Sequence, residues 1–274
     1  MGQSYSVPIN NVLLDGVSGF PGMDDAEPVL DIVQSISMAP GLSQVRVYIG
    51  LLDSDILGAM AAENVAKQIS ISWAWAPDDP DTVDQFFEEF AAQGQSVFVA
   101  SGDFGAYGPR NPFYFPAEDS WVTAVGGTTL TTAGAAGPWS SETAWLRSGV
   151  GASPDLIAIP AWQKGISTSS NGASAAVRNV PDVAMEADFD NYACHFGQCG
   201  TTWAGTSFRA PRRAGFMALV NQQAALAADR VAVSECQFMT GPAKIWPLRH
   251  AAVVAWNGTP VWIGRLKVDG RCRR

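Results

Sequence analysis

The chain is predicted to fold as an α/β protein of three layers, with helices on both faces of a mostly parallel central sheet. Three observations predict it. Short runs rich in Val, Ile and Phe recur at 45–49, 69–73, 95–100 and 121–125. Amphipathic stretches of helical length at 28–38, 54–68 and 81–93 precede or separate the first three runs, the arrangement of βαβ units and hence of parallel strands. With 274 residues, 47% of them hydrophobic, the chain can bury a large core as one big domain or two small ones.

In order, a short apolar piece at 11–16 precedes a Gly/Pro loop, and the helix at 28–38 follows. Pro28 suits its first helical position, with Val29, Leu30, Ile32, Val33 and Ile36 as the apolar face. Pro40-Gly41 ends it. The strand at 95–100 runs into Ser101-Gly102-Asp103, and the strand at 69–73 into Trp73-Ala74-Trp75. Ligands bind beyond the carboxyl ends of strands in such sheets, so both segments are candidate site walls. The strand at 121–125 is expected to stop at Gly126-Gly127-Thr128. Residues 131–180, rich in Gly, Ser, Pro and Trp, read as long surface loops with room for a hairpin, and Asp182-Val183-Ala184 returns to the core. A glycine-containing loop, Trp203 to Thr206, then leads into a buried helix through 214–220. After about Ala228 periodicity fades, and the sequence does not fit the upstream fold.

The net charge of −9 hides an asymmetry: residues 1–207 carry 6 basic and 23 acidic side chains, residues 208–274 carry 11 and 3. An acidic body with few lysines argues against nucleic acid as a partner and suits a protein that stays folded in acid. No run approaches the ~18 apolar residues of a membrane span. The opening residues have neither the basic nor the apolar region of a signal peptide. Cys194 and Cys199 are close enough for a small loop disulfide, which implies an oxidising compartment. With two histidines and no CxxC spacing, a zinc site is not expected.

Four residues invite a chemical reading. Ser207 sits where a helix begins, either as its N-cap or as a nucleophile whose developing charge the helix N-terminus favours. Taken alone, the local string favours the cap. Glu27 and Asp31 are four apart, so as helical neighbours they repel when both ionise, and a shared proton is one response. The alternative is a solvated acidic helix start, and Pro28 is expected to push Glu27 out of the α region into a capping role. Asp103 is either a turn residue or a cleft carboxyl that stays protonated in acid and donates to an oxyanion.

Together these pieces resemble one family. Glu27-Pro28-Val29-Leu30-Asp31, Ala100-Ser101-Gly102-Asp103, Phe115-Pro116-Ala117 with Val122 to Thr128, and Gly205-Thr206-Ser207 with Pro211 stand in the order and spacing of the sedolisins. These are serine-carboxyl peptidases of subtilisin-like three-layer fold. Ser72-Trp73, the 138–145 stretch and Val180-Pro181-Asp182-Val183 extend the resemblance over roughly residues 8–226. It implies that Ser207 attacks the scissile carbonyl, with Glu27 as general base and then acid. Asp31 would orient Glu27, Asp103 would serve the oxyanion hole, and Ser72 and Trp73 would line the substrate. A Glu base of pKa about 4–5 would work in acid. The implied partner is a peptide or protein substrate met outside the cell, with no nucleic acid, no membrane and a monomeric enzyme.

Departures accompany it. The resemblance begins after the family's prodomain and first strand and ends at about 226. The fold is therefore expected to be incomplete at both ends: a peptidase domain at 1–228 and a divergent basic tail at 229–274. Sedolisins carry a C-terminal calcium site built on an Asp-Ile pair and a Gly-rich stretch ending in Asp, and nothing between Asp229 and Arg274 matches it. Ala74 replaces a usual glycine, Phe104 replaces a usual serine, and Arg209 and Arg213 bring positive charge near Ser207. Two other readings stand beside an acid-active endopeptidase. One is an inactive homologue that keeps the motifs. The other is a secreted carbohydrate-binding module using the ten tryptophans.

Overall fold

The computed structural model describes residues 5–20, 25–75, 80–108, 111–112, 114–134, 137–167, 169–189, 191–195, 197–226 and 251–256. The strands are β1 (Ile9–Leu13), β2 (Val45–Gly50), β3 (Gln68–Ile71), β4 (Ser96–Ala100), β5 (Thr123–Thr132), β6 (Trp139–Ala144), β7 (Gly151–Ala152), β8 (Asn179–Val180), β9 (Val183–Glu186), β10 (Asn191–His195), β11 (Gln198–Trp203) and β12 (Ala251–Trp256). The α-helices are α1 (Ala26–Met38), α2 (Asp53–Glu63), α3 (Pro80–Ala92) and α4 (Arg209–Leu226).

The central sheet has the order β1-β2-β12-β3-β4-β5-β6, with β9 also paired to β5. All its pairings are parallel except β5 with β6. Apolar residues on both strand faces need cover on both sides, which is why β2 to β4 are mostly apolar or small and, apart from the partly buried Arg46, buried. On one face, Ile32 and Ile36 of α1 meet Val45 and Val47, while Ala210, Ala214 and Met217 of α4 cover Phe98 and Val125. On the other, Ile56, Leu57 and Met60 of α2 and Phe87 and Phe90 of α3 pack on Ile69, Ile71, Val97 and Val99. The three-layer, mostly parallel arrangement expected from the sequence is present.

Several boundaries differ from the expectation, each for a physical reason. Helix α2 stops at Glu63 rather than 68, because Asn64 takes a left-handed conformation (φ 46°) and ends the hydrogen-bond ladder. Strand β5 continues through Gly126-Gly127 to Thr132. Those glycines are sites of close packing, not a stop: a Cβ at Gly126 would lie 2.5 Å from Pro181 Cγ, and one at Gly127 2.7 Å from Ala187 Cβ. The loops at 131–180 contain β6, which forms a hairpin with β5, and the small antiparallel pair β7–β8.

The largest difference is β12. Six residues of the tail that did not fit upstream form a strand in the middle of the sheet, parallel to β2 on one side and β3 on the other. A division of the chain at 228 therefore separates this strand from its own sheet. The remaining residues expected to form the tail, 229–250 and 257–274, lie outside the described residues.

Candidate active site

Beyond the carboxyl ends of β3 and β4 lies a cavity of about 180 Å³, lined by Ser72, Trp73, Ala74, Ala100, Gly102, Asp103, Phe104, Thr206 and Ser207. Ser207 is not an N-cap. It lies inside a single 3-10 turn, Thr206–Phe208, whose capping residue is Gly205. Gly205 has φ 148°, and a Cβ there would come within 2.9 Å of Asp103 Oδ2, so both conformation and space demand glycine. The turn runs directly into α4, which aims its unpaired N–H groups at this end of the sheet.

Helix α1 brings the carboxyls. Glu27 is helical despite Pro28: the bend expected at Glu27 does not occur, and the proline falls in the first turn, where its missing N–H has no partner to lose. Glu27 and Asp31 therefore share one helix face. The Ser207 side chain faces Glu27 and favours its ionised form. Asp31 is wholly buried and accepts a 2.6 Å hydrogen bond from Ser72 Oγ, which also lies 3.3 Å from the Ser207 carbonyl oxygen. Asp31 Oδ2 and Glu27 Oε1 are buried without a hydrogen-bond partner among the described residues. Burial, opposed by the Ser207 side chain and reinforced by the Asp103 charge, pushes Glu27 to about 7. That is above the range expected for this base. Burial and the Glu27 charge hold Asp31 well above the usual carboxylate range.

Asp103 completes the wall. Its Oδ1 accepts hydrogen bonds from Thr206 N (2.8 Å) and Thr206 Oγ1 (2.9 Å). Burial raises its pKa, while the two Thr206 bonds and the Arg147 charge pull the other way. The segment at 145–150 holds the Asp103 loop through Gly149 N to Gly102 O (2.7 Å) and Gly105 N to Arg147 O (2.8 Å). A Cβ on Gly149 would fall 1.7 Å from Ser101 O. Gly149→Ala is thus expected to displace the Asp103 loop, lower stability by roughly 3 kcal/mol and abolish site function, measured by thermal melting and cleavage assay together.

All six residues expected at the site converge here: Ser207, Glu27, Asp31, Asp103, Ser72 and Trp73. Phe104 does not crowd the cavity shut; its ring is 64% exposed at the rim. Ala74 does line the cavity. Arg209 brings no free charge, since it is wholly buried and paired with Glu186 (2.8 Å) beside Asn191. Arg213 lies over the Phe216 ring.

Three features escaped the sequence reading. Thr206 holds Asp103, and its position next to Ser207 was the available signal. Glu186–Arg209 and Asp25–His195 (2.7 Å) tie β9 and β10 to α4 and α1, and long-range pairs of this kind leave no local signal. The Cys194–Cys199 disulfide is present and closes the β10–β11 hairpin. Several tryptophans serve packing: Trp145 is buried, Trp73 and Trp75 lie against the core, and Trp162 stacks under Arg178.

Among the described residues, no group of three or more His, Cys, Asp or Glu side chains is placed to hold a metal ion. The segment on which the calcium expectation turns lies largely outside them. No helix of the described residues is long and apolar enough to cross a membrane.

Comparison with known proteins agrees with this fold. The Subtilase family model matches residues 50–233. Kumamolisin of Bacillus sp. (strain MN-32) is 31% identical over 240 residues, covering 78% of this chain and 43% of its own length. Sedolisin of Pseudomonas sp. (strain 101) is 33% identical over 184 residues, 57% of this chain and 30% of its own. The chain thus spans less than half the length of these curated relatives. The solved Pseudomonas sedolisin, a serine-carboxyl proteinase complexed with two molecules of pseudo-iodotyrostatin, superposes with a TM-score of 0.70 at 26% identity, over 86% of this chain and 72% of that one. The protease domain of PatA (TM-score 0.56, 13% identity) shares the fold. With the family model spanning the segments of Ser72-Trp73, Asp103 and Ser207, and relatives carrying the sedolisin name, the chain belongs to the subtilase family, in its sedolisin group.

Proposed function

We propose that the chain is a serine-type endopeptidase that hydrolyses peptide bonds in acid by a Ser/Glu/Asp mechanism with an acyl-enzyme intermediate. The observation that carries this reading is Ser207 set against the buried Glu27 carboxyl beside a cavity walled by Asp103. The description of the solved relative as a serine-carboxyl proteinase supports it.

A peptide lying along Ser72-Trp73-Ala74 presents its carbonyl carbon to Ser207 Oγ. As the C–O bond forms, Glu27 takes the hydroxyl proton. The carbonyl oxygen becomes an oxyanion and accepts a hydrogen bond from protonated Asp103. Collapse breaks the C–N bond, Glu27 returns the proton to the leaving nitrogen, and the acyl group stays on Ser207 Oγ. Water then gives a proton to Glu27 and displaces the serine, which recovers that proton as the acid departs.

The reactive arrangement carries two protons on three interacting carboxyls, with the negative charge on Glu27. Because burial pushes Glu27 up to about 7, this arrangement is a minor one in acid and fills as pH rises toward neutrality. Asp31 holds the second proton and keeps Glu27 in place through their shared helix face. At lower pH Glu27 is protonated and cannot accept; at higher pH Asp103 ionises and repels the oxyanion. Protons leave such a set in steps, and the window between the first and second loss is the active one, giving a bell-shaped profile. An extracellular setting suits the Cys194–Cys199 disulfide.

The deciding assay incubates the purified chain and its Ser207→Ala variant with a denatured protein from about pH 4 upward. Cleavage by the parent alone is expected. Equal cleavage by both, or none by either, overturns the proposal, and the second outcome describes an inactive homologue.

A further inference from the structure

We propose that Arg147 is a positioning residue for Asp103: from the rim of the cleft it pins the peptide group behind this carboxyl and, through its charge, sets the upper pH limit of cleavage. The proposal rests on the reading of Asp103 as the oxyanion partner.

The geometry has two parts. Arg147 lies between β6 and β7, in the segment that clamps the Asp103 loop. Its own carbonyl accepts from Gly105 N (2.8 Å), and two residues on, Gly149 N donates to Gly102 O (2.7 Å). These two backbone bonds flank Asp103. Between them, Arg147 Nε donates to the Asp103 carbonyl oxygen at 3.2 Å. Asp103 is thus held from both sides: its carboxyl by Thr206 and its backbone by Arg147. The guanidinium lies 5.9 Å from the centre of the Phe189 ring, which fixes its orientation from the β9–β10 side.

The second part is charge. Arg147 is exposed, whereas Asp103 is largely enclosed. Of the charged groups around this carboxyl, Arg147 favours its ionisation, and on α1 the Asp103 charge raises Glu27 in turn. From the nucleophile loop, Thr206 contributes uncharged donors. Asp188, beside Phe189, is engaged by Thr129 Oγ1 and Trp145 Nε1. A cation beside an acid that must stay protonated lowers the pH at which the proton is lost. The positioning and the charge therefore work in opposite directions on catalysis: one orients the donor and the other narrows its window.

The sign follows. Removing the charge raises the pH at which Asp103 ionises, so the alkaline limb of the activity profile moves up. Because Arg147 faces solvent, the shift is modest, roughly half a pH unit at low salt, and it shrinks as salt screens the pair.

The experiment uses the full chain, its Arg147→Gln variant and its Arg147→Lys variant on a denatured protein from about pH 3 to about pH 8, at low salt and at about 0.5 M salt. In the glutamine variant the alkaline limb is expected to rise by about half a pH unit at low salt, to converge with the parent at high salt, and kcat to fall several-fold. The lysine variant keeps the parent's limb while losing the Nε bond. An unmoved limb in the glutamine variant, or an equal shift in the lysine variant, overturns the proposal.

A carboxyl ¹³C titration of the same proteins, with Asp103→Asn identifying the resonance, separates this outcome from failure of the enzyme reading. If no variant cleaves but the Asp103 midpoint rises in the glutamine variant, the peptidase proposal fails and the Arg147 assignment to Asp103 stands. If the midpoint is unmoved, the assignment fails whatever the activity.

Discussion

Replacing Glu27 by glutamine is expected to lower peptide-bond cleavage by about a thousandfold at every pH, the scale of losing a positioned general base, while leaving the fold intact. Glutamine matches the glutamate in shape and still faces Ser207, but it cannot take the hydroxyl proton. The same substitution has a second consequence, because Glu27 is a buried carboxyl pushed up to about 7. A carboxyl whose pKa is higher in the folded chain than in the unfolded one binds more protons when folded. Its contribution to stability is therefore full below the unfolded value of 4.5 and is lost as pH rises through about 7. Asp31, Asp103, Glu118 (about 8) and Asp119 are raised as well, so all act in one direction. The parent chain should melt highest in acid and lose several degrees between about pH 5 and about pH 8. The glutamine variant should show a flatter profile, with up to about 3 kcal/mol of the Glu27 contribution removed. Urea midpoints across that range measure it. A parent whose midpoint climbs toward neutrality would contradict the burial of these carboxyls.

How far this was legible in the sequence varied with the range of the interaction. Strands β2, β3 and β4 announce themselves as apolar runs because a parallel sheet buries both faces of each strand. The periodicity of α1 and α3 is set by neighbours three and four residues away, so it too is local. The site was legible only in part. Ser207 alone read as a cap, and neither Glu27 nor Asp103 could be told from surface acids without the set they stand in. Partner identity was not legible. Nothing near Arg147 says that it lies against Asp103, and nothing near Arg209 says that a partly buried Glu186 neutralises it. Gly126-Gly127 illustrates the same limit: glycine in a string reads as a stop, but here it admits Pro181 and Ala187.

Strand β12 is the extreme case, and the second large effect is expected there. Val253→Pro should prevent the chain from reaching a cooperatively folded state. Val253 pairs with Val47 of β2 on one side and Ser70 of β3 on the other, in parallel register. Without β12, the sheet divides into β1-β2 and β3-β4-β5-β6 with β9, and four rows of backbone groups in the buried middle lose their partners. Val45, Val47, Ile69 and Ser70 are wholly buried, so water cannot replace those partners without opening the core. Proline removes a donor from the ladder and fixes φ, which confines it to edges and bulges of sheets. At a central position a lost ladder bond that leaves its buried partner unpaired costs about 1–3 kcal/mol, in addition to the backbone misfit, which is a large share of a domain's net stability. The effect reaches the site because β3 delivers Ser72 and Trp73, while α1, resting on β2, delivers Glu27 and Asp31. A slipped or missing β12 uncouples these two carriers. Far-UV circular dichroism and a urea titration of the variant decide the matter: loss of the single transition is expected, and a parent-like midpoint would remove β12 from the sheet. Val254→Ala at the next position keeps every backbone bond and should retain the single cooperative transition, which ties the proline effect to the ladder.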